Sequence, residues 1–171
     1  MYSSKAKKLS LYSLLLALIL VLGLVEHSLP IYPAIPGIKL GLSNAVLLVC
    51  MIIFGVKSAF LLMIAKVTVL SALLGSFIGY GLAGGVFSIV TMTFALKVLK
   101  MDIIAVSIIG SCFHIIGQLL VSGIILQSIS VVYYFPVLLI ASIVTGIITG
   151  MISKYSLNAL EKSGFLKNGK K

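Results

Sequence analysis

The sequence predicts an all-α integral membrane protein of six spanning helices with both termini in the cytoplasm, and three observations carry that expectation. Of its 171 residues, 61% are hydrophobic and only 9% charged, with a mean hydropathy of +1.28; soluble domains carry roughly 25% charged residues. The apolar residues gather into six runs, each near the 20 or so residues that a bilayer crossing needs. The lysines stand at the ends of those runs, where they act as topology signals.

The first run, Leu9–Leu29, follows Lys5, Lys7 and Lys8. Its start has the basic and apolar regions of a signal peptide, but no small-x-small cleavage site follows, so it is read as a retained first helix. Ser13 and Ala17, four residues apart, form a small-residue row that suits either packing inside the bundle or docking of another membrane helix. Glu26 and His27 lie near the outer end of this run. Glu26 is the only acid expected in the outer half, placed to neutralise Lys39 or Lys66 or to contact a ligand; His27 reads as interfacial.

Between the first two runs, Pro30, Pro33 and Pro36 forbid a helix and Gly37 ends the irregular stretch. The second run, Ile38–Phe54, then starts at once and carries Lys39, Ser43 and Asn44 on its first turns. A rigid loop feeding a polar-headed apolar helix is costly in lipid unless it lines a cavity, so this region is a candidate binding site. The third run, Ser58–Leu74, holds Lys66 near its middle. A lysine there costs about 2.5–3.5 kcal/mol, which the surrounding apolar residues offset at about 0.3–0.6 kcal/mol each. The helix inserts, with Lys66 facing protein or water. An ion pair with Glu26 or bonds to backbone carbonyls, and a role in holding an anionic substrate, are equally open.

A Gly/Tyr-rich turn, Gly75–Gly85, leads to the fourth run, Leu82–Val98, with Ser88, Thr91 and Thr93. Their hydroxyls are a weak signal because they can bond their own helix backbone. The fifth run, Ile103–Leu126, places Ser107, Ser111, His114, Gln118 and Ser122 three or four residues apart, along one face. His114 with Gln118 is an i, i+4 pair deep in the membrane, and the polar stripe around it favours a cavity lining over simple packing. The sixth run, Val131–Ser153, carries Ser142, Gly146 and Gly150, a row that lets helix backbones approach closely.

This divides the chain into a basic N-terminus (1–8), one six-helix membrane domain (9–153) and a basic tail (154–171), helical at first and then frayed. Lys5, Lys7, Lys8, Lys57, Lys97, Lys100, Lys154, Lys162, Lys167, Lys170 and Lys171 fall on one side. Only Lys39 falls on the other, and Lys66 is within the membrane. The positive-inside rule makes the lysine-rich side cytoplasmic.

Several chemistries are excluded. The formal net charge of +10 comes without a single arginine, so the fork that reads bases and phosphates is missing and nucleic acid is not a partner. Three acids, Glu26, Asp102 and Glu161, cannot supply a paired-carboxylate or Asp-rich Mg²⁺ site. No Gly-rich Walker loop is present. No His/Cys cluster has metal spacing, and Cys50 and Cys112 read as small buried hydrophobes. No metal, cofactor or catalytic role is expected.

The stretch P-G-I-K-L-G-L-S-N-A-V-L-L (Pro36–Leu48), followed by I-F-G-V-K-S-A (Ile53–Ala59) and a span with a central basic residue, resembles the Gx transporter family. That family is often labelled heptaprenyl diphosphate synthase component I. It is similar in turn to the substrate-binding S components of energy-coupling factor (ECF) vitamin transporters. The resemblance covers roughly residues 9–153. It implies an S-component-like bundle whose ligand site opens outward beneath three loops. These are the connections between spans one and two, three and four, and five and six. It also implies docking on an ECF-type transmembrane coupling subunit with its ATPases, through an Ala-x-x-x-Ala row in span one, where this chain has Ser13-x-x-x-Ala17. The prenyl-synthase label fits the residues poorly, since the aspartates that Mg²⁺–diphosphate chemistry requires are missing.

The expected function is therefore membrane transport of a small molecule, as a substrate-binding subunit or a small transporter in a prokaryotic cell membrane. The solute is vitamin-like, flavin-like or an isoprenoid/quinone precursor, held in a largely apolar pocket. Lys39, Asn44, Lys66, His114 and Gln118 are the anchors, with Glu26 tuning the lysines. The competing expectation is an accessory membrane subunit associated with prenyl diphosphate synthesis. A purely structural scaffold is a third.

Overall fold

The computed structural model describes residues 5–28, 42–127, 133 and 135–162. Six α-helices follow one another: α1 (Lys5–Ser28), α2 (Leu42–Phe54), α3 (Val56–Leu74), α4 (Ile78–Lys97), α5 (Ile103–Leu126) and α6 (Phe135–Lys162). All regular structure among the described residues is helical, as expected. Five of the helices are long and apolar enough to cross a membrane. The exception is α2, whose 13 residues cover about 20 Å at 1.5 Å per residue, short of a hydrocarbon core of about 30 Å. Residues 38–41, expected at its head, lie outside the described residues, as does the Pro-rich stretch with Lys39.

Two boundaries move. The Gly75–Gly85 stretch, expected as a turn, is mostly helix, because α4 begins at Ile78. Gly75 closes α3 in the left-handed conformation (φ 63°), and its N–H bonds the carbonyl of Ser71. Gly81 and Gly85 instead lie inside α4, where β-carbons would come within 2.8 Å of Val67 and 2.5 Å of Met63. These glycines serve close packing of α4 on α3. At the other end, α6 runs unbroken past Ser153 to Lys162, so no structural break separates the membrane helix from the start of the tail.

The helices close a ring in which α1 packs on α3, α3 on α4, α4 on α5, α5 on α6, α6 on α2 and α2 on α1, with α2 also against α3. Most of α2 is consequently buried, including Leu48 and Cys50 at 1% exposure or less. Ile19, Met63, Ile89, Met92 and Val106 complete the same apolar core. Large apolar side chains on the outer faces, such as Leu61, Val90, Ile124 and Ile140, are exposed. In a chain of this hydropathy such faces meet lipid, not water.

Hydroxyls join the helices across the core. Tyr12 bonds Ser58 at 2.7 Å, and Ser58 bonds the Phe54 carbonyl, tying α1 to the α2–α3 junction. Ser107 bonds Thr149 at 2.8 Å between α5 and α6. Ser153 of α6 donates to the Ala45 carbonyl of α2. At the lysine-bearing end of α5, Asp102 pairs with Lys154 at 3.1 Å. The Lys154 ammonium holds this exposed carboxyl below its ordinary range. A carboxyl depressed in the folded state stabilises the fold above its unfolded pKa, and that contribution is lost as pH falls through the folded value.

Candidate functional site

Among the described residues, the inward-facing ionisable and amide side chains of the expected anchor set fall into two sets. The first joins α1, α2 and α3 at the start of α2. The first N–H groups of a helix have no partner within it and carry partial positive charge. Glu26, only 6% exposed near the end of α1, supplies one partner: its Oε1 accepts the Ser43 N–H at 3.1 Å and its Oε2 accepts the Ser43 hydroxyl at 3.1 Å. The carboxylate of α1 is thus a cap for α2, delivered from another helix. The next residue, Asn44, accepts a bond from Lys66 Nζ of α3 at 3.0 Å through Oδ1. Consecutive residues of α2 therefore hold the one acidic and the one basic side chain that the sequence singles out within the membrane.

The second set lies on α5. Gly110 and Gly117 meet α4, since β-carbons there would come 2.5 Å from Met92 and 2.7 Å from the Ala83 carbonyl. Ile104 and Ile108 meet Gly150 and Gly146 of α6. Ser107, Ser111, His114 and Gln118 project between those two contact lines at 100° per residue, opposite the exposed Phe113 and Leu120. The polar stripe thus faces inward. Its lower part is used in packing: Ser107 bonds Thr149, and Ser111 bonds its own helix at the Ser107 carbonyl. His114 and Gln118 bond each other, Nε2 to Nε2, at 3.2 Å. With the Gln118 amide nitrogen as donor, His114 Nε2 accepts, so the neutral ring carries its proton on Nδ1. That edge of the ring sits against Gly84, where a β-carbon would lie 2.8 Å from both Nδ1 and Cε1.

Of the expected anchors, Glu26, Asn44 and Lys66 are thus linked through the first turn of α2, while His114 and Gln118 form their own pair on α5. Lys39 lies outside the described residues. His27 is exposed. Ser13 and Ala17 are both exposed on α1, and the Ser13 hydroxyl returns to the Leu9 carbonyl of its own helix. The hydroxyls of α4 behave as their type suggests, with Thr91 bonding Phe87 and Thr93 bonding Ile89 one turn back. Cys50 is a free, buried thiol.

Ser43 is the residue that the anchor set omits. A cap partner is not legible there, because the run is read from Ile38 and Ser43 then lies more than a turn inside it, whereas α2 runs Leu42–Phe54. Thr149 was also passed over, although it lies in the same face of α6 as Ser142, Gly146 and Gly150.

A family model described as heptaprenyl diphosphate synthase component I matches residues 15–157 of the chain. Comparison with curated proteins and with solved structures returns no match.

Proposed function

The chain belongs to the heptaprenyl diphosphate synthase component I family, and from that premise we propose that it is the membrane-embedded binding subunit of a small-molecule transport system, without catalysis of its own. The observation that carries this reading is the inward placement of ammonium, amide and imidazole groups in helices that are otherwise apolar. Lys66 is held to Asn44 between α3 and α2, and His114 is held to Gln118 on α5. Ionisable groups at such depth are costly in lipid and are retained where they serve a ligand or ion path. Lys39, in the sequence ahead of α2, is a further proposed anchor apart from the Glu26–Lys66 cluster, and Glu26 fixes the helix end that presents Asn44.

The solute enters a largely apolar chamber and is vitamin-like, flavin-like or an isoprenoid or quinone precursor. Ser13 and Ala17 on the exposed face of α1 are the proposed contact with an ECF-type coupling subunit and its ATPases. The membrane is the prokaryotic cytoplasmic membrane, crossed six times by residues 9–153, with residues 1–8 and 154–171 on the cytoplasmic side. A cysteine introduced at Lys162 is expected to react with an impermeant thiol reagent only after cells are opened. Labelling in intact cells would reverse the orientation.

Purification of the full chain in mild detergent, followed by mass spectrometry of what stays bound, tests the reading directly. A single small molecule is expected at near-stoichiometric occupancy. It should be lost from a folded Lys66→Ala/His114→Ala double variant. Undiminished occupancy in that variant would remove both residues from the site.

A second reading takes the family's description at its word: an accessory membrane subunit of a prenyl diphosphate synthase. What favours it is the matched family itself, which is described as a component of such an enzyme. A pull-down that returns a soluble, Asp-rich synthase in place of ATPases would decide for it.

A further inference from the structure

The start of α2 and Lys66 together have the makings of an anion site, because free N–H groups at a helix start and an ammonium both attract negative charge. The structure fills that place from within. The Glu26 carboxylate already takes the Ser43 N–H and hydroxyl, and it does so at 6% exposure. One residue further on, Asn44 Oδ1 takes the Lys66 ammonium. The formal charges of Glu26 and Lys66 cancel across a single helical turn. The acceptor side of Asn44 is occupied, while its amide nitrogen, with two N–H donors, has no hydrogen-bond partner among the described residues and is only partly buried.

We propose that this cluster selects an uncharged molecule whose polar head presents a hydrogen-bond acceptor, a carbonyl or hydroxyl oxygen, to Asn44, and that it disfavours diphosphates. This inference rests on the binding-subunit reading above and narrows its ligand class. A diphosphate, with at least two negative charges, would have to displace a buried carboxylate from α2 or share the single Lys66 ammonium with it, and the excess like charge is costly in a low-dielectric setting. A neutral head needs only the open amide donors. Glu26 is thus a charge-selecting and positioning residue, acting through Ser43 and Asn44.

A matched pair of probes tests this: farnesol and farnesyl diphosphate, which share one apolar body and differ in head charge. Binding of each to the full chain in nanodiscs, read by native mass spectrometry, is expected to favour farnesol at least about tenfold on the wild type. Glu26→Gln keeps the shape and leaves the cluster at +1, and should raise diphosphate affinity about tenfold or more. Glu26→Gln/Lys66→Met restores neutrality and should return the farnesol-to-diphosphate preference to the wild-type ratio, even where the loss of the Lys66–Asn44 bond weakens both probes, a reversal that a merely structural role for Glu26 would not give. Equal or tighter binding of the diphosphate to the wild type would overturn the proposal. So would an unchanged preference in a folded Glu26→Gln, or binding of neither probe. The wild-type ratio decides by itself if that variant does not fold. A co-purified anionic metabolite would sink this inference while leaving the binding-subunit reading intact, and absence of any bound molecule would sink both.

Discussion

Gly146→Ala is expected to lower unfolding stability by about 1–3 kcal/mol, the range for forcing extra volume into a close-packed seam. The added β-carbon would stand 2.7 Å from Cα of Ile108, and at Gly150 the corresponding distance is 2.8 Å from Cα of Ile104. Both obstacles are backbone atoms of a regular helix, so no side-chain rotation can relieve them, and α5 and α6 must separate. Separation also stretches the 2.8 Å bond between Ser107 and Thr149, which lies on the same seam. Once one alanine has pushed the helices apart, the second meets less resistance. The Gly146→Ala/Gly150→Ala double variant should therefore cost clearly less than the sum of the two singles. Gly123 of α5 is the control. A β-carbon there meets nothing within 4 Å, and Gly123→Ala should be neutral or stabilising by up to about 1 kcal/mol through helix propensity alone. Thermal unfolding of the purified protein in detergent reads all four variants. Additive losses at 146 and 150, or a penalty at 123, would contradict the seam described here.

That contrast shows what hydropathy reveals and what it leaves out. The run Ile103–Leu126 became α5 with the same bounds, because Asp102 and the preceding lysine punctuate it sharply and no lysine, acid or proline interrupts it. The start of α4 was misplaced because glycine has two uses that composition does not separate. Gly75 serves the left-handed turn, whereas Gly81 and Gly85 serve close approach of α3. Only the neighbouring helix distinguishes the two. The polar residues repeat the lesson. That Lys66 must face inward followed from the cost of charge in lipid, and so did the inward face of His114 and Gln118. Which partner each would find did not follow, because Glu26 to Ser43 and Lys66 to Asn44 are choices made by the packing of three helices. An ion pair with Glu26, bonds to carbonyls and a role toward an anionic substrate all stand open from the sequence, and none of them names the amide of Asn44, whose Oδ1 accepts from the Lys66 ammonium at 3.0 Å.

Glu26→Ala and Lys66→Met should move stability in opposite directions, although both remove a charge from the same cluster. Losing the carboxylate strands the Ser43 N–H and hydroxyl, which are buried. Each unsatisfied group costs about 1–3 kcal/mol, so Glu26→Ala is expected to destabilise the protein by about 2–6 kcal/mol, and Glu26→Gln, which keeps one acceptor, by less. Losing the ammonium removes the bond that Asn44 Oδ1 accepts. Asn44 is only partly buried and is left with an open acceptor, while the variant escapes the roughly 2.5–3.5 kcal/mol that a lysine costs deep in a membrane helix. Lys66→Met is therefore expected to unfold no earlier than the wild type, and retention of the bound small molecule should fall at least tenfold once Asn44 is no longer held. Such a gain in stability at the expense of binding is the mark of a residue kept for a ligand and not for the fold. If Lys66→Met instead unfolds several degrees earlier and keeps its ligand, Lys66 is a structural tie between α3 and α2, and the transport reading loses its central residue.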